Sequence, residues 1–205
     1  MHERGVSATT LDEILAVSGT GKSQFYHYFP DKNALVIEVL AHQLDRVLEA
    51  QSSYALDSWE GIGAWFQAMI ESHERSGLNG CPLGSIAAEA VELTEPVRRS
   101  AAGAFGRWEA TLRAHLETMR GRGELVASAD PAALAEAVIT VIQGGYLLAS
   151  VKRDVRPMRE ALDVALRHLH SYAATARPEQ RWERLSPTRS VPTGTVSDMP
   201  SAERP

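Results

Sequence analysis

One cysteine stands in 205 residues. A lone Cys81 forms no intramolecular disulfide and no cysteine metal cluster, and such usage fits a reducing cytoplasm. Beside a proline loop it reads as an inert small residue. No run of about 18 apolar residues is present, which argues against a membrane span. Met1-His2-Glu3-Arg4 lacks the apolar core of a signal peptide. Positive charge is also scarce. Lys and Arg number 21 against 26 Asp and Glu, a net charge of −5, so the molecule as a whole is not a polybasic nucleic-acid binder. Any contact with DNA must come from a local patch. Seven histidines are scattered without ligand spacing, and His168 and His170, two apart, point away from each other on a helix. No metal site is expected. Nucleophile-elbow, dinucleotide and paired-carboxylate signatures are missing from the contexts they require, so no enzyme activity and no cofactor is expected. Strand signals and internal repeats are absent.

What is present has helical period throughout. With 44% hydrophobic and 23% charged residues, this is the composition of an ordinary soluble protein, long enough to bury a substantial core. An all-α fold of about eight helices is expected, since typical helices run 8–20 residues. The first spans about 10–17, with Thr9 and Asp12 or Thr10 and Glu13 as a capping box and Leu11, Ile14 and Leu15 as its apolar stripe. Gly19 suits a left-handed turn. A short helix over 22–28 follows, with Gly21 as N-cap and Pro30 as its stop. Asp31 then caps a long helix over 32–53. Asp57 with Glu60 marks a helix to about Ser76, and the loop 77–84 is rich in breakers. Further helices are predicted over 85–92, from Thr94 to about Arg120, from Asp130-Pro131 onward and from Pro157 onward. Five of the ten prolines lie in 178–205, and the segment 177–205 reads as a disordered tail.

The stretch 9–32, TTLDEILAVSGTGKSQFYHYFPDK, carries two competing signals. Ala16 to Ser23 comes within one residue of the phosphate-loop pattern G-x-x-x-x-G-K-[ST], with Ala16 in place of the first glycine. A phosphate loop must follow a buried strand and open a long helix. Here the preceding LDEIL is acidic and helix-periodic, and Pro30 stops the following helix. Two short helices joined by Ser18-Gly19-Thr20, the second ending in Phe25-Tyr26-His27-Tyr28-Phe29, instead have the layout of a DNA-reading helix-turn-helix. A major groove admits one helix, whose first turn reaches base edges. Lys22, Ser23 and Gln24 occupy that turn. Lys22 can donate to guanine O6 and N7, and Gln24 can pair with adenine. His27 and Tyr28 sit where a groove edge or backbone is in reach. Against this, residues 1–50 carry four Lys and Arg (Arg4, Lys22, Lys32, Arg46) and seven Asp and Glu (Glu3, Asp12, Glu13, Asp31, Glu38, Asp45, Glu49). That is acidic for a surface whose affinity depends on neutralising phosphates.

Gly5-Val6, Thr9 to Ile14, Gly19, Lys22, Phe25 to Phe29, and Lys32 with Ala34-Leu35 together resemble the tetracycline-repressor (TetR) family of bacterial transcription regulators. The resemblance implies that residues 1–34 form the DNA-binding module, with Tyr26, Lys32 and Thr10 as phosphate contacts. Such contacts position a protein without carrying sequence information. Thr20, Gly21, Ser23 and Gln24 depart from the family's commoner residues, the last two in positions that bear on site preference. The resemblance also implies a helix ahead of Gly5, roughly 15–20 residues by typical helix length, covering Leu11, Ile14 and Phe25. This helix is expected to be missing, through a late start or a truncation, with a soft N-terminal module and weak DNA binding as the result.

Residues 35–176 are expected to form a ligand-binding and dimerisation domain. Trp65, Phe66, Met69, Phe105 and Trp108 are candidate cavity walls, and His73, Glu89 and His115 are candidate polar contacts for a small-molecule effector. In the family, the final helix pair meets its two-fold mate in a four-helix bundle, which places Val138, Val141, Gly145, Leu148, Leu162, Ala165 and Leu169 in a homodimer interface. The expected function is a ligand-responsive repressor acting as a dimer on a palindromic double-stranded DNA operator. A helical ligand-binding or interaction protein with impaired DNA binding is the alternative, and nucleotide binding a remote one.

Overall fold

The computed structural model describes residues 5–90 and 92–174. The tail expected over 177–205 lies outside the described residues. Among these, eight α-helices follow one another: α1 Leu11–Ser18, α2 Lys22–Tyr28, α3 Lys32–Ser52, α4 Trp59–Arg75, α5 Pro82–Ala90, α6 Glu95–Gly121, α7 Pro131–Lys152 and α8 Arg156–His170. The all-α expectation holds.

Local chemistry sets most of the boundaries. Of the two capping boxes the sequence allows, Thr10 with Glu13 forms: the Glu13 N–H donates to the Thr10 hydroxyl at 3.2 Å, and the Thr10 N–H donates to Glu13 Oε2 at 2.8 Å. Gly19 ends α1 at φ 67, where a side chain would be strained. Asp31 caps α3 by accepting from the Ala34 N–H at 2.9 Å. Asp130 accepts from Ala132 and Ala133 to open α7, with Pro131 in the first turn.

Two starts differ from expectation. Ser58, not Asp57, caps α4, accepting from the Gly61 N–H at 3.1 Å. Asp57 is taken by Arg122, 2.7 Å away. Helix α5 begins at Pro82, so Pro82-Leu83-Gly84 form its first turn and not a loop. Proline costs nothing where its missing N–H has no partner, and the fully buried Leu83 anchors the turn.

The core lies between α3, α4, α5, α6, α7 and α8. Val36, Leu40 and Leu44, one turn apart on α3, are fully buried. Each such side chain contributes about 1.5–3 kcal/mol through burial. Trp108 on α6 donates to Gln51 Oε1 on α3 at 2.7 Å, a buried polar tie between two long helices. Helix α7 averages a hydropathy of 1.6 over an 18-residue window, long and apolar enough to cross a membrane by length and composition. It holds no unbroken apolar run because Thr140 and Gln143 interrupt the pattern. Its Leu134, Val138, Ile139, Ile142 and Ala149 are buried, and its neighbours are α6 and α8, as for a core helix. After α8 the chain returns to the α6–α7 connection, where Val126 N–H donates to Tyr172 O at 2.8 Å and Ala174 N–H to Glu124 O at 2.9 Å.

The expected boundary at 34/35 falls in the first turn of α3. The described residues form one compact unit.

Candidate functional site

The reading helix is held by one aromatic. Phe25 is 4% exposed and lies edge-on to Tyr26 and tilted to Phe29, with ring centroids 5.3 Å apart in each pair. Alternation around α2 then turns Lys22, Ser23, Gln24, Tyr26, His27 and Tyr28 outward; all six are exposed. Tyr28 packs edge-on against His27. Lys22 is not a free cation: its Nζ is 3.0 Å from Asp12 Oδ1 on α1. Ala16 to Ser23 spans the end of α1, the turn and the start of α2, so no strand precedes the glycines, contrary to what a phosphate loop requires.

Two candidate phosphate contacts have other duties. Thr10 is exposed, but its hydroxyl is the α1 cap and also donates to Glu13 Oε2 at 3.0 Å. Lys32 is half-buried and donates to the Val6 carbonyl. As the first residue of α3, its side chain leans back toward the preceding chain, as helical side chains do.

The candidate effector contacts do not form one site. Trp65, Phe66, His73 and Trp108 are buried, while Met69, Phe105 and His115 are half-buried. His115 lies in the neighbourhood of Asp57, just ahead of α4. His73 lies near the other end of α4, about 20 Å along the axis at 1.5 Å per residue. Trp108 is committed to Gln51. Glu89 faces the N-terminal segment and accepts from the backbone N–H groups of Val6 and Ser7.

His73 stands apart from these. It is 1% exposed, and neither ring nitrogen has a hydrogen-bond partner. Burial holds its pKa below the usual histidine value, against a weaker opposing pull from Glu74. Tyr146 of α7 meets it edge-on at 4.8 Å, and burial pushes the Tyr146 phenol up. Gln143 Nε2 lies 3.6 Å from Cys81 Sγ. Burial raises the Cys81 thiol, so it is protonated and unreactive at neutral pH. Tyr146 and Gln143 were missed in the sequence because they sit on a helix whose period marks only its apolar stripe.

Burial divides the residues expected at a dimer interface. Val138, Gly145, Leu162, Ala165 and Leu169 are buried inside the protomer. Their role is to join α7 to α8: a Cβ on Gly145 would lie 2.9 Å from Ala161 Cβ and Met158 Sδ. Val141 is half-buried. Of the seven, Leu148 is exposed, as are Leu147 and Val151 on the same helix and Val164 on α8. Both sets have helical period. Which one faces inward is decided by the neighbouring helices.

A compact helix-turn-helix with an outward polar first turn, followed by a larger helical domain, defines a DNA-binding transcription regulator. Residues 1–39 match the family of bacterial regulatory proteins of the tetR type, and residues 59–165 match the tetracyclin repressor-like C-terminal domain. The chain is 30% identical over 162 residues to the transcriptional regulator AcuR of Cereibacter sphaeroides, covering 77% of this chain and 73% of that protein. It is 26% identical over 165 residues to the transcriptional repressor NemR of Escherichia coli, covering 78% and 83%. Among solved structures, a TetR regulatory protein from Rhodobacter sphaeroides superposes with a TM-score of 0.71 at 26% identity, over 82% of this chain and 91% of that one. The chain belongs to the TetR family of helix-turn-helix transcriptional regulators, which bind DNA and are not enzymes. The match to residues 1–39 does not show a missing first helix.

Proposed function

We propose that the protein is a ligand-responsive repressor that binds a palindromic operator as a homodimer in the bacterial cytoplasm. The observation that carries this reading is the outward face of α2. Lys22, Ser23 and Gln24 are exposed on a helix anchored by the buried Phe25, and Tyr26, His27 and Tyr28 extend the same surface. Lys22 and Gln24 read bases, Tyr26 and Tyr28 meet phosphates, and Thr10 and Lys32 contribute by bracing the module. Repression rests on the kinship with NemR and with DhaR of Mycobacterium, both described as transcriptional repressors. The exposed Leu147, Leu148, Val151 and Val164 supply the dimer contact. Two reading helices related by a two-fold axis meet successive major grooves when about 34–36 Å apart. The unpartnered His73 beside Tyr146 supplies the polar end of the effector site. An effector then acts by binding one spacing of the reading heads better than the other.

Selection of bound duplexes from a random DNA library, with stoichiometry measured on the winning sequence, tests this reading. An enriched inverted repeat bound by two protomers is expected. No enrichment, or a single asymmetric site bound by one protomer, refutes it.

A further inference from the structure

Helix α5 carries a carboxylate that reaches across to the N-terminal segment. Glu89 Oε1 accepts from the Val6 N–H at 2.9 Å, and Glu89 Oε2 accepts from the Ser7 N–H at 2.9 Å. Both oxygens are thus engaged by consecutive backbone donors, the kind of charge-assisted pair that is stronger than neutral hydrogen bonds. Burial works to raise the Glu89 carboxyl. The Ser7 and Val6 donors, with Lys32 nearby, outweigh it and hold the group below the usual glutamate range. Gly5 completes the fit. Its φ is +84, where a side chain is strained, and a Cβ there would lie 2.7 Å from Glu89 Oε1 and push the carboxylate off its donors.

The gripped loop is itself attached to the reading head. Val6 is 1% exposed and belongs to the main core. Its carbonyl accepts from Lys32 Nζ. Lys32 opens α3, and only residues 29–31 separate α3 from the reading helix α2. At its other end, α5 follows directly on Cys81, which contacts Gln143 and lies near the Tyr146 that packs on His73. From Cys81 to Glu89 is about 12 Å at 1.5 Å per residue.

We propose that Glu89 is a positioning residue for DNA reading: with Lys32 it forms a latch, Glu89 to Val6-Ser7 to Lys32, through which α5 sets the orientation of α2. This rests on the DNA-reading role of α2. A small displacement of α5 then reaches the reading head through two hydrogen bonds and an ammonium–carbonyl contact, without passing along the length of α3. Glu89 and Lys32 accordingly act as one unit, although one was a candidate effector contact and the other a candidate phosphate contact.

The test uses the full chain, with Glu89→Gln, Lys32→Met and the double variant. Glutamine keeps the size but presents an NH2 group to one of the two N–H donors. Hydrogen exchange is read peptide by peptide, and binding is read on the duplex selected for the wild type. In Glu89→Gln, exchange over 5–9 is expected to rise roughly ten- to hundredfold, the scale of a lost charged hydrogen bond. It should also rise along α2 and the first turn of α3, while α7 and α8 stay protected. Operator binding is expected to weaken about tenfold in each single variant. The double variant should be no weaker than the worse single one, as for members of one unit. Unchanged exchange in α2 overturns the latch. So does additivity in the double variant, with Lys32→Met alone lowering the salt dependence of binding, because Lys32 is then a phosphate contact. If the wild type selects no duplex, the operator reading fails, and the exchange measurement decides the latch by itself. Near-ultraviolet signals from Trp65 and Trp108 verify that each variant is folded.

Discussion

Replacing Asp12 by asparagine should make the protein less stable and its DNA binding tighter. Asp12 does two things. In the first turn of α1 its charge complements the helix dipole, worth about 0.3–1 kcal/mol at an exposed site. It also holds Lys22 at 3.0 Å, with the two side chains 78% and 65% exposed. At that exposure the pair contributes at most about 1 kcal/mol after screening. The substituted asparagine keeps most of the side-chain volume but loses both effects, so unfolding free energy should fall by roughly 0.5–1.5 kcal/mol. On DNA the sign reverses. To reach a guanine or a phosphate, Lys22 must leave Asp12, and Asp12 then faces the phosphates uncompensated. Removing it should tighten binding by roughly two- to tenfold, equivalent to about 0.4–1.4 kcal/mol. The gain should be largest at low salt, because the interaction is between exposed charges and is screened within about 8 Å at physiological ionic strength. Fluorescence anisotropy on labelled duplex at several salt concentrations, beside urea unfolding, measures both. An Asp12→Asn variant that binds DNA no tighter than wild type at low salt would show that Lys22 stays on Asp12 or away from the duplex, and would refute the argument.

Two other perturbations follow from burial. His73→Phe should raise stability by about 1–3 kcal/mol, because it removes two buried nitrogens without partners while keeping a ring against Tyr146; a drop in urea midpoint would show that the imidazole is satisfied. The pH dependence has a definite sign. The folded pKa of His73 lies below its ordinary value of 6.5, so the unfolded chain binds the proton more readily, and stability is lost as pH falls through and below 6.5. His73→Phe should flatten that loss in part, leaving the share from His170, whose pKa burial also depresses. An unchanged pH profile would remove His73 from the account. At the surface, Val151→Asp should yield a folded monomer by light scattering, whereas Leu169→Asp, with a side chain that is fully buried, should unfold the chain; a Val151→Asp dimer would place the interface elsewhere.

The eight helices and the reading head were legible because their signals are local. A capping box needs Thr10 and Glu13 three residues apart, a left-handed turn needs a residue such as Gly19, and the alternation of Phe25 against its neighbours divides buried from exposed on a single short helix. Capping, turn geometry and periodicity act over one or two turns of chain, so consecutive residues carry them. The phosphate-loop likeness of 16–23 fell to the same local evidence, since a helix and not a strand precedes it.

Other assignments depended on contacts between residues far apart in the chain. The periodicity of α7 and α8 marks a face without saying what covers it. α6 and the α7–α8 contact bury Val138 and Leu169, leaving Leu147, Val151 and Val164 outside. Glu89 has the chemistry of an effector contact, and Lys32 that of a phosphate contact. Packing of α5 against the N-terminal segment brings them instead to the same dipeptide, across 83 residues of chain in the case of Glu89 and Val6. Composition and spacing therefore settled the class of fold, most of the helix ends and the outward face of α2. The partners of each charged or apolar face were settled by chain packing, because burial and hydrogen bonding are properties of pairs of segments and not of either segment alone.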